Sequence, residues 1–129
     1  MDFDIWNKEY CKNFVVTQEV YDAFQCCSAD MNPMHVSDDY AQRRGYDKRI
    51  MYGNILNGFV SYFVGMMLPS QSVIILSQDI AYHKPVYMND ELEFRAKLTN
   101  LSEAVGVAEF KYKFLRANKT VARGGGQLK

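Results

Sequence analysis

Asn54-Ile-Leu-Asn-Gly-Phe-Val-Ser-Tyr-Phe-Val-Gly-Met-Met-Leu68 is a run without one charged side chain, and Pro69 follows it. Drawn as a helix, it places Asn54, Asn57, Gly58, Ser61 and Gly65 within one arc of roughly 100°. The remaining circumference carries Ile55, Leu56, Phe59, Val60, Tyr62, Phe63, Met66 and Met67. A helix apolar over most of its girth has to be surrounded by the rest of the molecule. The stripe of small and polar residues fits a backbone, a partner or a ligand that comes close. Tight packing alone fits it equally well.

The material to surround this helix lies after it. Val73 to Tyr82 is apolar with little alternation. Glu91 to Thr99 alternates, with Leu92, Phe94, Ala96 and Leu98 on one face; Ala104 to Leu115 alternates with Phe110, Tyr112 and Phe114. Thr120 to Gln127 ends the series. Met88-Asn89-Asp90, Asn100 to Glu103 and Ala117-Asn118-Lys119 are turn signals between these strands. Successive strands with short connections imply an antiparallel sheet. The fold class expected is α+β, an antiparallel sheet wrapped around one long central helix. A small sheet of this kind leaves its edges open. Pairing two copies edge to edge removes that liability, so a homodimer is expected.

Before the helix, Asn13 to Val16 reads as a short strand. Thr17 reads as the N-cap of a helix over Gln18 to Cys27, with Glu19 in its first turn. Val20, Phe24 and Cys27 form that helix's apolar face. Ser37 caps a second short helix with Asp38 and Asp39 at its start and Arg43 and Arg44 at its end; Gly45 stops it. Gly124-Gly125-Gly126 has no helix after it to make a phosphate cradle, so a bulged or fraying terminal strand is expected there.

Composition bounds the rest. The 129 residues are 48% hydrophobic and 14% aromatic, which fits a single folded domain over 1–129. Lys+Arg and Asp+Glu are both 15, so no net charge draws the chain to nucleic acid or to an anionic membrane. The longest apolar run, Phe59 to Leu68, is too short to span a bilayer. The first residues, Met1 to Trp6, are acidic and lack an apolar signal core. Cys11, Cys26 and Cys27 are an odd set without zinc-ligand spacing, and no metal site is expected. They read as reduced core or near-core thiols of a cytoplasmic protein.

One loop carries candidate chemistry. Ser28-Ala29-Asp30-Met31-Asn32-Pro33-Met34-His35 puts a carboxylate and an imidazole five residues apart across an Asn-Pro turn. If both point inward, they can hold a water and move protons. On spacing alone the plainer reading is that Asp30 and Asn32 cap a turn and His35 is a bystander.

The wider pattern resembles the MaoC-like, or R-specific enoyl-CoA hydratase, branch of the hot-dog fold. The residues that carry the likeness are Phe24, Ser28 through His35, Tyr40-Ala41, Ile50-Met51-Tyr52-Gly53, Gln78, Tyr82, Pro85-Val86 and Asn89-Asp90. It runs in element order from about Thr17 to the C-terminus. Two positions depart from the family pattern. Ala29 stands where glycine is usual, at little cost if its φ is negative. Tyr52 stands where histidine is frequent, and its bulk is expected to reshape the acyl pocket.

The resemblance implies a lyase that hydrates trans-2-enoyl thioesters, or dehydrates R-3-hydroxyacyl thioesters, carried on CoA or acyl carrier protein. It implies no metal or redox cofactor. Asp30 and His35 would be the acid–base pair around a bound water. The backbone N–H of Gly53, at the start of the central helix, would receive the thioester oxygen; a loop-to-helix hinge is the other reading of that glycine. Asn32 would brace the loop. Ser61 would hydrogen-bond into the site, unless it is an ordinary helix serine. Arg43, Arg44, Lys48 and Arg49 are a basic cluster for which a solvated surface is the plainer reading than phosphate binding. His83, beside Lys84-Pro85, reads as structural. The alternative activities are an acyl-CoA thioesterase on the same fold, whose usual acidic residue is missing from Asn54 to Leu68, and a non-catalytic acyl-thioester-binding protein.

Overall fold

The computed structural model describes residues 1–129. In order, the elements are α1 (Phe3–Trp6), β1 (Glu9–Val15), α2 (Gln18–Ser28), α3 (Pro33–Val36), α4 (Asp38–Arg43), α5 (Ile55–Tyr62), β2 (Ile75–Tyr82), β3 (Glu91–Ser102), β4 (Val107–Arg116) and β5 (Lys119–Leu128). The α5 helix loosens into a π-helical turn over Phe63–Met67 before Leu68 goes extended ahead of Pro69. All five strands form one antiparallel sheet in the order β1-β3-β4-β5-β2. This is the expected hot-dog arrangement, with the helix against one face of the sheet.

Period-two alternation decides which face that is. Leu92, Phe94, Ala96 and Leu98 of β3 and Phe110, Tyr112 and Phe114 of β4 are all buried. The register puts Phe94 opposite Phe114 and Ala96 opposite Tyr112, so the inward side chains meet as cross-strand pairs. Two aromatics one turn apart on the helix enter this surface. Phe59 stacks on Phe14 of β1 with centroids 4.4 Å apart. Phe63 sits among Tyr10, Phe94 and Phe110 at 5.4, 5.2 and 5.3 Å. Burial of side chains this size contributes roughly 1.5–3 kcal/mol each.

The helix is less enclosed than its composition predicts. Ile55, Leu56, Phe59, Val60, Phe63 and Val64 are buried, whereas Asn54, Gly58, Ser61, Tyr62, Gly65 and Met66 are exposed. A Cβ added at Gly58 or Gly65 would meet nothing within 4 Å. The small-residue stripe therefore does not serve tight packing within the chain. It lies open on the same molecule as β2, an edge strand on which Ile75, Leu76 and Tyr82 are exposed.

Several local expectations hold. Thr17 Oγ1 accepts from the Val20 amide and caps α2, and Ser37 Oγ accepts from the Tyr40 amide and caps α4. Gly45 has φ +92°, the left-handed value that ends the segment. Others need correction. The first strand begins at Glu9, not Asn13, because Tyr10 and Phe14 face inward while polar residues face out. Cys11, Cys26 and Cys27 are free but exposed, not core thiols. Cys11 follows the outward phase of β1, and the buried side of α2 is made instead by Tyr21, with Val20 and Phe24 half-buried.

Gly124-Gly125-Gly126 is not frayed or bulged. It lies within β5, paired to β2 on one side and β4 on the other. The glycines allow unusually close strands: a Cβ on Gly124 would sit 2.0 Å from the Asp79 carbonyl oxygen, and one on Gly125 would sit 2.7 Å from that of Phe110. Tyr112 completes this seam. Its hydroxyl donates toward the carbonyls of Asp79 and Gly125, and burial raises its pKa to about 12. No helix is long and apolar enough to cross a membrane.

Candidate active site

The loop after α2 is shaped by a residue in an uncomfortable conformation. Ala29 closes the helix with φ 54° and ψ 21°, and its amide donates to the Gln25 carbonyl at 2.8 Å. A left-handed conformation costs an L-residue roughly 1–2 kcal/mol, and glycine avoids most of that. The condition under which alanine would cost little here, a negative φ, is not met. The alanine carries strain where the resembling family uses glycine.

Beyond it, each polar side chain folds the next step. Asp30 Oδ1 accepts from the Asn32 amide at 2.9 Å, an Asx turn. Asn32 Oδ1 accepts from the Met34 amide at 2.9 Å and caps α3, with Pro33 in its favoured first position. Asn32 is therefore a brace, as expected. This sequence of turns brings His35 back toward Asp30, and His35 Nε2 lies 3.9 Å from Asp30 Oδ2.

The other ring nitrogen defines the tautomer. His35 Nδ1 is 2.8 Å from the Ile50 carbonyl oxygen. A carbonyl only accepts, so Nδ1 carries the proton. In the neutral ring Nε2 then presents a lone pair, and it faces a carboxylate oxygen. Two acceptors at 3.9 Å do not bond to each other directly. A molecule with two donors fits between them, at about 2.8 Å from each. Both side chains are reachable from outside: that of His35 is 22% exposed and that of Asp30 is 44% exposed.

Tyr52 lies beneath this pair. It is buried, and its ring centroid is 4.4 Å from that of His35 and 5.0 Å from that of Phe24. Its hydroxyl donates to the Asp30 backbone carbonyl. A second tyrosine mirrors it: the Tyr21 hydroxyl donates to the His35 carbonyl at 2.9 Å. Between them, Gln25 Nε2 donates to Tyr21 at 3.1 Å and to Tyr52 at 3.2 Å. Burial and the neighbouring Tyr52 raise the Tyr21 pKa, while Arg49 opposes the shift. Sequence reasoning passed over Tyr21 and Gln25. Their signal was present, since residues four apart on α2 share a face one turn before the loop.

Gly53 leads into α5. Neither its amide nor that of Asn54 makes a hydrogen bond within the chain, as the first donors of a helix do not. Gly53 is half-buried, and a Cβ there would come within 3.0 Å of the Tyr82 ring. Tyr82 in turn donates to Asn54 Oδ1, which also accepts from Asn57. The glycine thus lets the edge strand close over the helix start and leaves an N–H free beside Tyr52.

The other candidates fall away from this point. Ser61 is exposed two turns further along, and its hydroxyl makes no hydrogen bond within the chain. It makes no hydrogen bond to Asp30 or His35. His83 is exposed just past the end of β2, with its amide bonded to the Val121 carbonyl. Of the basic cluster, Arg49 lies 5.1 Å over the Tyr21 ring, Arg44 lies 4.9 Å over Tyr40, and Lys48 lies 5.9 Å from Tyr87. Three of the four cations are engaged with aromatic faces.

A family model described as MaoC like domain matches residues 8–116. An (R)-specific enoyl-CoA hydratase of Rhodospirillum rubrum is 34% identical over 99 residues, 77% of this chain and 65% of that protein. An (R)-specific enoyl-CoA hydratase of Aeromonas caviae is 30% identical over 86 residues, 67% of this chain and 64% of that protein. The chain thus spans just under two-thirds of the length of these relatives. Among solved structures, the (R)-hydratase from A. caviae superimposes with a TM-score of 0.87 at 22% identity, covering 95% of this chain and 94% of that one. An R-hydratase from Pseudomonas aeruginosa gives 0.84 at 20% identity, covering 95% and 79%. These two likenesses establish the shared fold. The chain belongs to the MaoC-like domain family.

Proposed function

We propose that this member of the MaoC-like family is a hydro-lyase that adds water reversibly to trans-2-enoyl thioesters, giving R-3-hydroxyacyl thioesters. The observation that carries the reading is the His35 ring. Its Nδ1–H is pinned to Ile50 and its Nε2 lone pair faces the Asp30 carboxylate at 3.9 Å. The names of the two curated relatives support it.

In this reading a water donates one hydrogen to each of the two acceptors. Its oxygen bonds to the β-carbon as His35 Nε2 takes a proton, and the pair returns a proton to the α-carbon. The electron pair of the double bond moves through an enolate whose oxygen is received by the free Gly53 amide at the positive end of α5. Asn32 braces the loop, and Tyr52 acts from beneath by holding Asp30. Proton transfer by positioned groups contributes on the order of 10²–10⁴-fold in rate. The carrier is CoA or acyl carrier protein.

The active form is a homodimer. Its support is the pairing of an open edge strand, β2, with an open stripe of small residues on α5 and exposed Ile74, Ile75, Leu76, Tyr62 and Met66. Sedimentation of the purified protein at twice the monomer mass is the expected result.

The decisive assay follows the conjugated-thioester absorbance of a short enoyl-CoA. It should fall with the wild-type protein and not with Asp30→Asn or His35→Ala, both still folded. Release of free thiol would mean a thioesterase, although α5 offers it no carboxylate. Saturable binding with neither product would mean a binding protein.

A further inference from the structure

We infer that Gln25 is a positioning residue that sets the Asp30–His35 spacing through Tyr21 and Tyr52; the inference rests on the hydro-lyase reading above.

The hydrogen bonds admit one direction only. The Asp30 and His35 backbone carbonyls accept, so the single protons of Tyr52 and Tyr21 are committed to them. Each tyrosine oxygen can then only receive. What it receives is an N–H of Gln25, whose two amide hydrogens are divided between the two hydroxyls at 3.1 and 3.2 Å. The carbonyl end of the Gln25 side chain cannot substitute, because it has no proton to give. The result is a fork with its handle on α2 and one prong under each member of the acid–base pair.

The fork matters because little else fixes that loop from below. Asp30 and Asn32 shape it from within, and Ile50 holds the imidazole from one side. The Tyr21 hydroxyl ties the His35 carbonyl directly to α2, and Gln25 ties Tyr52, and through it the Asp30 carbonyl, to the same helix, whose last residue, Ser28, also receives the Asp30 amide. Tyr21 and Gln25 are one helical turn apart on α2, so the Tyr21 prong is set by the helix pitch, whereas Tyr52, from the segment before α5, is joined to the helix by Gln25. Arg49, stacked on Tyr21, and the His35 ring, lying on Tyr52, limit how either phenol can turn. The departure at position 52 then gains a partner: a tyrosine stands where the resembling family often has histidine, and Gln25 donates to its hydroxyl oxygen.

Reversing the polarity of the fork tests it. Gln25→Glu keeps the shape but offers acceptors, which draw the tyrosine protons away from the two carbonyls. Its kcat for a short enoyl-CoA should fall on the order of ten- to a hundredfold, with KM unchanged and the protein folded. The deficit relative to the wild type at the same pH should narrow toward pH 5, where the new carboxyl regains a proton. Gln25→Leu should lose less, because both tyrosines keep their carbonyl bonds. Tyr21→Phe and Tyr52→Phe should each lower kcat, and together cost less than the product of the two. A purely structural role predicts the opposite order of Leu and Glu, or losses that follow the melting temperature; either result overturns the inference, as does wild-type kcat and pH profile in Gln25→Glu. If the wild-type protein itself hydrates no enoyl thioester, the hydro-lyase reading fails. The fork is then judged by a crystal structure of Gln25→Glu: a changed Asp30–His35 separation supports it, and the 3.9 Å distance retained overturns it.

Discussion

The loop from Ser28 to Gly53 and the sheet from Glu91 to Leu128 are held by different kinds of bond. The sheet is a backbone ladder with aromatic rings filling one face, and its β3, β4 and β5 strands follow one another in space as they do in sequence. The loop has almost no ladder. Its shape comes from side chains bonded to main chain across 14, 15 and 22 residues: Tyr21 to His35, His35 to Ile50, and Tyr52 to Asp30. A ladder spreads its energy over many equivalent contacts. A set of single hydrogen bonds contributes about 1 kcal/mol each but determines where two particular atoms sit. Substitutions in the first region should therefore be felt as stability, and in the second as rate.

The largest effect expected is on turnover. Asp30→Asn keeps the oxygen that accepts from the Asn32 amide, so the loop should hold its turn while the charge is lost. It and His35→Ala should each cost on the order of 10²–10⁴ in kcat, with a melting temperature close to that of the wild type. A large stability loss in either would erase the contrast between the two regions.

Phe63→Ala sets the other pole. The ring is 1% exposed among three other aromatics, so its removal should destabilise the fold by about 3–5 kcal/mol in a urea titration. The remaining folded protein should turn over at a near-normal rate. Gly124→Ala tests the same region through the backbone. The new Cβ would fall 2.0 Å from the Asp79 carbonyl, and β2 would have to move. The cost expected is about 1–3 kcal/mol, the range of an overpacked site, and it should weaken the proposed dimer along with stability because β2 is the open edge. A neutral result would mean that the seam is looser than its distances imply.

The smallest effect expected runs the other way. Ala29→Gly relieves a φ of 54° and should stabilise the protein by about 1 kcal/mol without changing kcat. If kcat falls instead, the strained alanine itself takes part in aiming Asp30, and the loop depends on more than its hydrogen bonds.

Most of the frame was legible in the residue order. The strands betrayed themselves by alternation at Leu92, Phe94 and Ala96, and the helix starts by Thr17 and Ser37. The Asp30–His35 pair was visible as a candidate, with a plainer turn-capping reading beside it. Both readings turn out to describe the same residues, since Asp30 caps with one oxygen and faces His35 with the other. A helical wheel gives Ser61 an azimuth but not what lies at that azimuth, so it leaves both readings of that serine open. Gly124-Gly125-Gly126 was misjudged because a glycine run looks alike whether it frays or lets two strands approach.

Periodicity, caps and turn chemistry act between residues a few positions apart, and the chain alone determined those: the elements, the inward faces and the bend that carries Asp30 and His35. Tertiary structure alone decided the tautomer of His35, set by a carbonyl fifteen residues on, the arm of the fork from Gln25 to Tyr52, and which side of α5 stays bare. Each of these depends on an atom brought near by folding of the whole chain, and no local rule encodes that distance.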